Sequence, residues 1–454
     1  MSYDPALSKE ARAALDLMKN QAEKTLRPHR PVPRNAREIA LRGILRVLYE
    51  GAYSQLALHG LLDKVEDTAT RSQATRLFYG CLEYVWQLDA ELRRFAKQKP
   101  ERYDPEVLGV LRLGLYELRH MDTEPAFVVH SAVELVKRWG FTSAAGLVNG
   151  ILRRAANERA PLPKQLWLEV SVHPQLVLDL GREIKAERLR DYFLATLEPQ
   201  ALSVRLRAAG LEDSKAVTLS PYLEDFAVYD PQLGGPIHRH PDFLDGKMTA
   251  QGVAAGMAVR YLDPQGNDLV FDACAAPGNK TLQILDRGAS VIAQDVHIQR
   301  IHLIRDLWLR ANKPSTLSLR LNDAAARSEI PVLMRGRCDK VLVDAPCSGL
   351  GMMQGKPELR IFYNAEKIQE LAQLQLRILT QAFQALKPNG KLLYSTCTLM
   401  RAENSEVIQA FVSQHSNAEQ VSLGHGREEV EALVLAPELP GEGFYYAALK
   451  RSTF

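Results

Sequence analysis

The sequence predicts a multidomain chain: an all-α bundle, a small α+β segment and a C-terminal α/β domain built on a parallel sheet. Three observations predict it. At 454 residues the chain exceeds what one ordinary core holds, so two or three domains are expected. From about Ala36 to Arg154, apolar residues recur at three- and four-residue spacings, the period of helices with one buried face. After about residue 250, apolar runs of four to six residues alternate with helical segments, which is how parallel strands with crossover helices read.

Residues 1–35 read as a basic extended segment. The stretch 19–46 carries Lys19, Lys24, Arg27, Arg30, Arg34, Arg37, Arg42 and Arg46, interrupted by Pro28, Pro31 and Pro33. Prolines break helices, so an extended run leading into a helix is expected. It is a candidate contact to a phosphate backbone, and a solvated tail is the alternative.

Residues 36–158 read as a helical bundle, with breaks at Lys99-Pro100, Asp104-Pro105, Glu124-Pro125 and Gly140. Cys81 sits at helical spacing among Leu77, Phe78, Leu82 and Val85, and is read as core. A Pro-containing linker, Arg159 to Lys164, leads to the mixed segment 165–250, with two helices and one strand candidate, ALSVRLRAA. In 251–454 the strand candidates are LVFDA, VIAQD, STLSLRLN, KVLVDA and GKLLYS, the last after one long helix. Ligands of such sheets bind beyond the carboxyl ends of the strands.

Composition narrows the classes. No apolar run approaches the roughly 18–20 residues that span a bilayer, and the first residues lack the order of a signal peptide. Five cysteines without framework spacing or a CxxC pair argue for a reducing, cytoplasmic setting and against a metal site. The net charge of +3 neither demands nor excludes a polyanion, and a monomer is expected.

The turn Cys274-Ala275-Ala276-Pro277-Gly278-Asn279-Lys280 follows the first strand of the α/β region and opens a helix. It is neither a dinucleotide fingerprint nor a phosphate loop. Its small residues let a ligand press against backbone, with helix N–H groups facing an anionic group. Asp295, 17 residues after Gly278, ends the next strand, where an acid accepts ribose hydroxyls. Asp323 ends the third strand and is placed to face an adenine. Three strand ends in register point to an adenosyl ligand, S-adenosylmethionine; the alternative makes Asp295 and Asp323 helix caps.

Cys347 and Cys397 each follow a run that reads as a buried strand, KVLVDAPCS and GKLLYSTCT, fifty residues apart. Either alone reads as a small buried hydrophobe. Together, beside an adenosyl turn, they suggest methyl transfer to cytosine. Carbon 5 of cytosine becomes nucleophilic once a thiolate adds to carbon 6, and a base must then take the carbon 5 proton. A free thiol ionises near about pH 8.5, so a cation such as Lys280 is wanted nearby. Asp344 could accept from the exocyclic amine. Cys274 is read as packing under the cofactor turn, and Cys338 as preceding the fourth strand.

DACAAPGNKT, LVDAPCSGLG, LLYSTCTLMRAENSEVI and GFYYAALKR resemble the RNA 5-methylcytosine methyltransferases of the RsmB/Sun type. The helical region resembles their NusB-like RNA-binding domain, notably in LGLYELRHM and GLVNGILRRAA. The resemblance runs from about residue 36 to the C-terminus. It implies a Rossmann-like methyltransferase domain preceded by a small RRM-like extension, acting on cytosine in RNA, with 16S ribosomal RNA the expected substrate. It also implies that Cys397 is the nucleophile, that Cys347 assists product release, and that Asp344 and Lys280 contact the base. Residues 274–280, Asp295, Arg300, Asp323 and Asp344 would bind the cofactor, and Gln251 matches a glutamine that usually precedes the turn.

Two departures stand out. Asn279 replaces the second glycine of the family's Pro-Gly-Gly-Lys turn, and asparagine tolerates positive φ better than most residues. Where the family carries a basic pair, this chain reads Met353-Gln354-Gly355-Lys356-Pro357-Glu358-Leu359-Arg360, its two positive charges displaced. The competing readings are a non-catalytic RNA-binding protein of the same fold, methylation of another RNA such as tRNA, and a DNA cytosine methyltransferase, in which the Pro-Cys thiol attacks.

Overall fold

The computed structural model describes residues 4, 6–27, 31–63, 65–96, 99–198, 201–312, 315–326, 334–434 and 442–453. It divides into two units. One comprises Met1–Leu197 and Met353–Tyr363, the other Glu198–Met352 and Asn364–Phe454.

The first unit is helical. Ala36–Glu50, Ser54–Leu62, Thr68–Glu83, Val85–Phe95, Pro105–His120, Pro125–Arg138 and Ala145–Asn157 follow the predicted periodicity. The expected breaks fall where backbone chemistry puts them. Pro105 and Pro125 open their helices at the position where a missing N–H is harmless, and Gly140 turns the chain at φ 86°. Pro105–His120 is buried on nearly every side and carries Arg112, whose guanidinium donates twice at 2.7 Å to Asp89 in the interior. Cys81 is core, as expected, and burial pushes its thiol up to about 12.

Three expectations change here. Residues 1–35 are not extended throughout: Lys9–Ala22 is a helix, with Ser8 Oγ accepting from Ala11 N and with Ala11, Ala14, Leu15 and Leu17 buried. The alanine and leucine spacing of this run is helical, and the cluster of prolines begins only at Pro28. Pro28 and Arg30 lie outside the described residues. Much of the basic stretch is occupied within the unit. Arg37 forms a two-pronged pair with Glu117, Arg27 lies over the Phe141 ring, and Lys24, Arg42 and Arg46 donate to backbone carbonyls.

The expected 165–250 segment is split. Leu166–Glu169, Pro174–Leu180 and Ala186–Ala195 bury Trp167, Leu176, Leu189, Tyr192 and Phe193 in the helical unit, whereas the strands that follow belong to the second. The displaced charge Arg360 is also a helical-unit residue, fully buried. Its guanidinium donates to the carbonyls of Ser171 and Val170 and to Thr196 Oγ1, so it is a packing strut and not a surface charge.

The second unit holds two sheets. The small one is antiparallel: β1 (Leu202–Leu206), β2 (Val217–Leu219), β3 (Phe226–Tyr229) and β4 (Met248–Ala250), in the order β2-β3-β1-β4. The large one comprises β5 (Leu269–Asp272), β6 (Ser290–Asp295), β7 (Leu317–Leu321), β8 (Cys338–Asp344), β9 (Leu386–Thr396), β10 (Ala418–Val421), β11 (Glu431–Val434) and β12 (Phe444–Arg451).

The order of the large sheet is β10-β12-β9-β8-β5-β6-β7, with β11 also pairing β12. β5 to β9 are parallel, and β12 runs antiparallel to β9. Helices Val253–Leu262, Asn279–Asp286 and Ile298–Arg310 cover one face, and Ala365–Phe383 and Ser405–Gln414 the other. The chain leaves β5 outward through β6 and β7, then returns to place β8 on the far side of β5. That reversal is the switch point at which ligands of such sheets bind. Cys338, expected before the fourth strand, is its first residue; it is buried, and burial pushes its thiol up to about 11.

Candidate active site

The turn after β5 is held from both sides. Ala273 N donates to Leu342 O of β8, and Ala275 N to Gln294 O of β6. Gly278 sits at φ 109°, and a Cβ there would press on Ile304 Cα at 3.1 Å, so glycine is required. Asn279 is different from expectation. It is the first helical residue of Asn279–Asp286 and needs no positive φ, and its Nδ2 donates to Ala250 O at 3.1 Å. The glycine-to-asparagine change is therefore accommodated by helical geometry.

Lys280, one residue on, points back across the strand ends. Its Nζ lies 2.7 Å from Asp344 Oδ2, while Ser395 Oγ donates to Asp344 Oδ1 at 2.8 Å. Burial works against the ammonium, but the charges of Asp344, Cys397 and Asp272 outweigh it and raise its pKa. Lys280 is therefore a fixed cation that couples electrostatically to Cys397.

Strand register brings the thiols together. β8 and β9 pair in parallel with Asp344 opposite Ser395. Cys347 lies three residues beyond the first and Cys397 two beyond the second, and their sulfurs are 3.4 Å apart. Cys347 has its thiol raised well above the ordinary value, chiefly by the hydrogen bond with Cys397 and then by burial.

A cavity of about 400 Å³ opens beside this cluster, within the range of small-molecule sites. It is lined by Cys274, Ala275, Ala276, Pro277, Asn279, Lys280 and Asp344, and also by Gln251 and Glu442. Gln251 Nε2 donates to Gln283 Oε1, and its Oε1 accepts from Arg205, which fixes the amide. Asp295, Arg300 and Asp323 are not among the described residues of this lining; they stand at the ends of β6 and β7 and in the helix between them. Asp295 Oδ1 accepts from His297 N and Asp323 Oδ1 from Ala325 N, so each caps its own turn with one oxygen. Arg300 lies 3.7 Å from Asp295 Oδ2 and donates to Ala276 O, linking the turn to the end of β6.

Asp272 tests the fit of a cofactor. It lines the cavity and is buried; its Oδ2 accepts from Thr281 Oγ1, and its Oδ1 has no hydrogen-bond partner among the described residues. Burial pushes this acid up to about 7. A cationic group in the cavity would satisfy that oxygen and favour its charged form, and S-adenosylmethionine carries both an ammonium and a sulfonium.

Residues 259–450 match the family model described as 16S rRNA methyltransferase RsmB/F, and residues 34–157 match the NusB family. The probable ribosomal RNA small subunit methyltransferase B of Bacillus subtilis is 31% identical over 405 residues, covering 85% of this chain and 90% of that one. The chain belongs to the RsmB/F methyltransferase family.

Ribosomal RNA small subunit methyltransferase B of Klebsiella pneumoniae, another RsmB/F relative, is 28% identical over 435 residues, covering 91% of this chain and 98% of that one. The crystal structure of PH0851 shares the fold at a TM-score of 0.74 and 22% identity, covering 93% of this chain and all of that one. S-adenosylmethionine is the RsmB/F cofactor, and the cavity fits it.

Two site features escape the sequence reading. Ser395 lies inside a recognised motif, yet its bond to Asp344 depends on register. Glu403, inside RAENSEV, accepts from Ser348 N and Ser348 Oγ at 2.8 and 2.5 Å. An acid six residues past the cysteine was the available signal.

Proposed function

We propose that this chain transfers a methyl group from S-adenosylmethionine to carbon 5 of a cytosine in small-subunit ribosomal RNA, through a covalent bond between Cys397 and carbon 6. The observation that carries the reading is the pair of thiols 3.4 Å apart, with the Lys280 cation coupled to Cys397. Cys397 is the attacking thiolate in this reading, and the Lys280 cation, whose charge couples to it, favours that form.

The Cys397 sulfur adds to carbon 6, and the electrons of the 5,6 double bond make carbon 5 the nucleophile. Bound S-adenosylmethionine supplies the electrophilic methyl group. Loss of the carbon 5 proton to a base then restores the double bond and expels the Cys397 thiolate, a release that Cys347 assists. Asp344, held by Lys280 and Ser395, is placed to accept from the exocyclic amine of the base. Attack on carbon 6 comes perpendicular to the ring, so the cytosine enters flipped out or single-stranded. The names of the relatives above support ribosomal RNA as the substrate.

The test is incorporation of labelled methyl into ribosomal RNA by wild type, Cys397→Ala and Cys347→Ala, with the product nucleoside identified by mass spectrometry. Wild type should yield 5-methylcytidine, Cys397→Ala none, and Cys347→Ala a gel-stable RNA adduct. An adduct that forms with Cys397→Ala but not with Cys347→Ala would reverse the two roles and overturn the reading.

A further inference from the structure

Glu403 ends the short turn Arg401–Glu403 after β9 and is wholly buried. Its carboxylate accepts from four neutral donors: Ser348 N at 2.8 Å, Ser348 Oγ at 2.5 Å, Gln375 Nε2 at 3.0 Å and Thr398 Oγ1 at 3.1 Å. Its own carbonyl accepts from Tyr394 OH at 2.7 Å, which anchors the residue to β9.

The addresses of these donors matter more than their number. Ser348 follows Cys347 directly and Thr398 follows Cys397 directly, and the two hydroxyls also meet at 2.7 Å. Gln375 donates in addition to Pro346 O, on the other side of Cys347. Burying an acid costs several kcal/mol, and well-packed apolar groups often serve stability as well. A buried carboxylate whose partners flank both thiols points to a role at those thiols.

We propose that Glu403 is the positioning residue of the thiol pair, its carboxylate tying the Cys347 and Cys397 loops into one arrangement. The inference rests on the two-thiol reading above. Its charge acts as well. Cys347 faces Cys397, Glu403 and Tyr394; after the Cys397 hydrogen bond and burial, the negative charges of Cys397 and Glu403 hold the proton on Cys347. The Glu403 charge thereby favours the thiol form of Cys347.

The experiment compares wild type with Glu403→Gln, which keeps the size and one acceptor oxygen but removes the charge. Iodoacetamide alkylation of each cysteine is followed by peptide mass spectrometry from neutral to alkaline pH, alongside methylation kinetics. In Glu403→Gln, Cys347 alkylation should begin at lower pH. The kcat should fall by about 100-fold, as for a misplaced reacting group, with KM for RNA unchanged. A folded Glu403→Gln with wild-type labelling and kcat overturns the inference. If that variant does not fold, Ser348→Ala decides. It cuts one tie and leaves the charge; a kcat about tenfold lower is expected, and a wild-type kcat overturns the inference. A wild type that makes no 5-methylcytidine while the labelling shift appears overturns the proposed reaction and leaves the thiol positioning standing.

Discussion

Ser395 donates its hydroxyl to Asp344 Oδ1 at 2.8 Å, across the last register position at which β8 and β9 pair. The other oxygen of Asp344 takes the Lys280 ammonium. This carboxylate is therefore oriented from both sides before any base arrives. Ser395→Ala removes one hydrogen bond to a charged group, worth about 1.5–3 kcal/mol. We expect methyl transfer to slow by roughly 10- to 100-fold, with cofactor affinity unchanged by calorimetry. Asp344→Ala should be worse, because it also leaves Lys280 buried without its main partner.

Gly351 N donates to Cys397 O, and Gly443 N donates to Gly351 O, so three loops cross at one glycine. A Cβ on Gly351 would run into the Gly443 carbonyl. Added to Cys347→Ala, Gly351→Ala should displace the Cys397 loop and abolish the RNA adduct that Cys347→Ala alone accumulates. The circular dichroism of the helices should stay intact, and full adduct formation by this variant would contradict the packing described.

Asp272 has a pH signature. Its pKa rises on folding from 3.8 to about 7, so the folded state holds an extra proton between those values. The sign follows by linkage: this group makes stability fall as pH rises through that window. Asp272→Asn should flatten the decline, measured as thermal midpoint against pH. Cofactor binding near neutral pH should release a proton, seen as a dependence of calorimetric heat on the buffer, and the variant should lose that dependence.

In the helical unit, Asp89 and Arg112 form a buried pair with both side chains almost fully excluded from solvent. Asp89→Ala strands the guanidinium and should cost about 3–5 kcal/mol, read as a lowered denaturant midpoint. Replacing both residues by apolar ones of similar volume should recover most of that loss.

Of the five central strands, β5, β6, β8 and β9 were legible as apolar stretches with a candidate-site turn at the carboxyl end, and β7 as the alternation LSLRL. The helices were legible by period and by their prolines. β2, β3, β4, β10 and β11 span only three or four residues each, too few for alternation to stand out, and their pairing is set by tertiary packing. Lys9–Ala22 was masked by a reading that let later prolines govern earlier residues. The candidate site residues at strand ends were read from their motifs, and the structure brings Lys280 to Asp344 and Cys347 to Cys397. Ser395 and Glu403 act through partners about fifty residues away, and a linear sequence does not display such registers. The burial of Arg360, read from the sequence only as a displaced positive charge, was hidden for the same reason: its partners Ser171 and Thr196 lie far back in the chain.

The membership of Met353–Tyr363 in the helical unit has a practical meaning for anyone cutting the chain. A fragment starting at residue 198 would look like a clean catalytic module on a linear map. It would still carry an eleven-residue graft whose host had been removed, with the Arg360 guanidinium stripped of the carbonyls that satisfy it. The two units are thus sewn, not beaded: fusion or transplantation of either one has to carry, or redesign, the stitch.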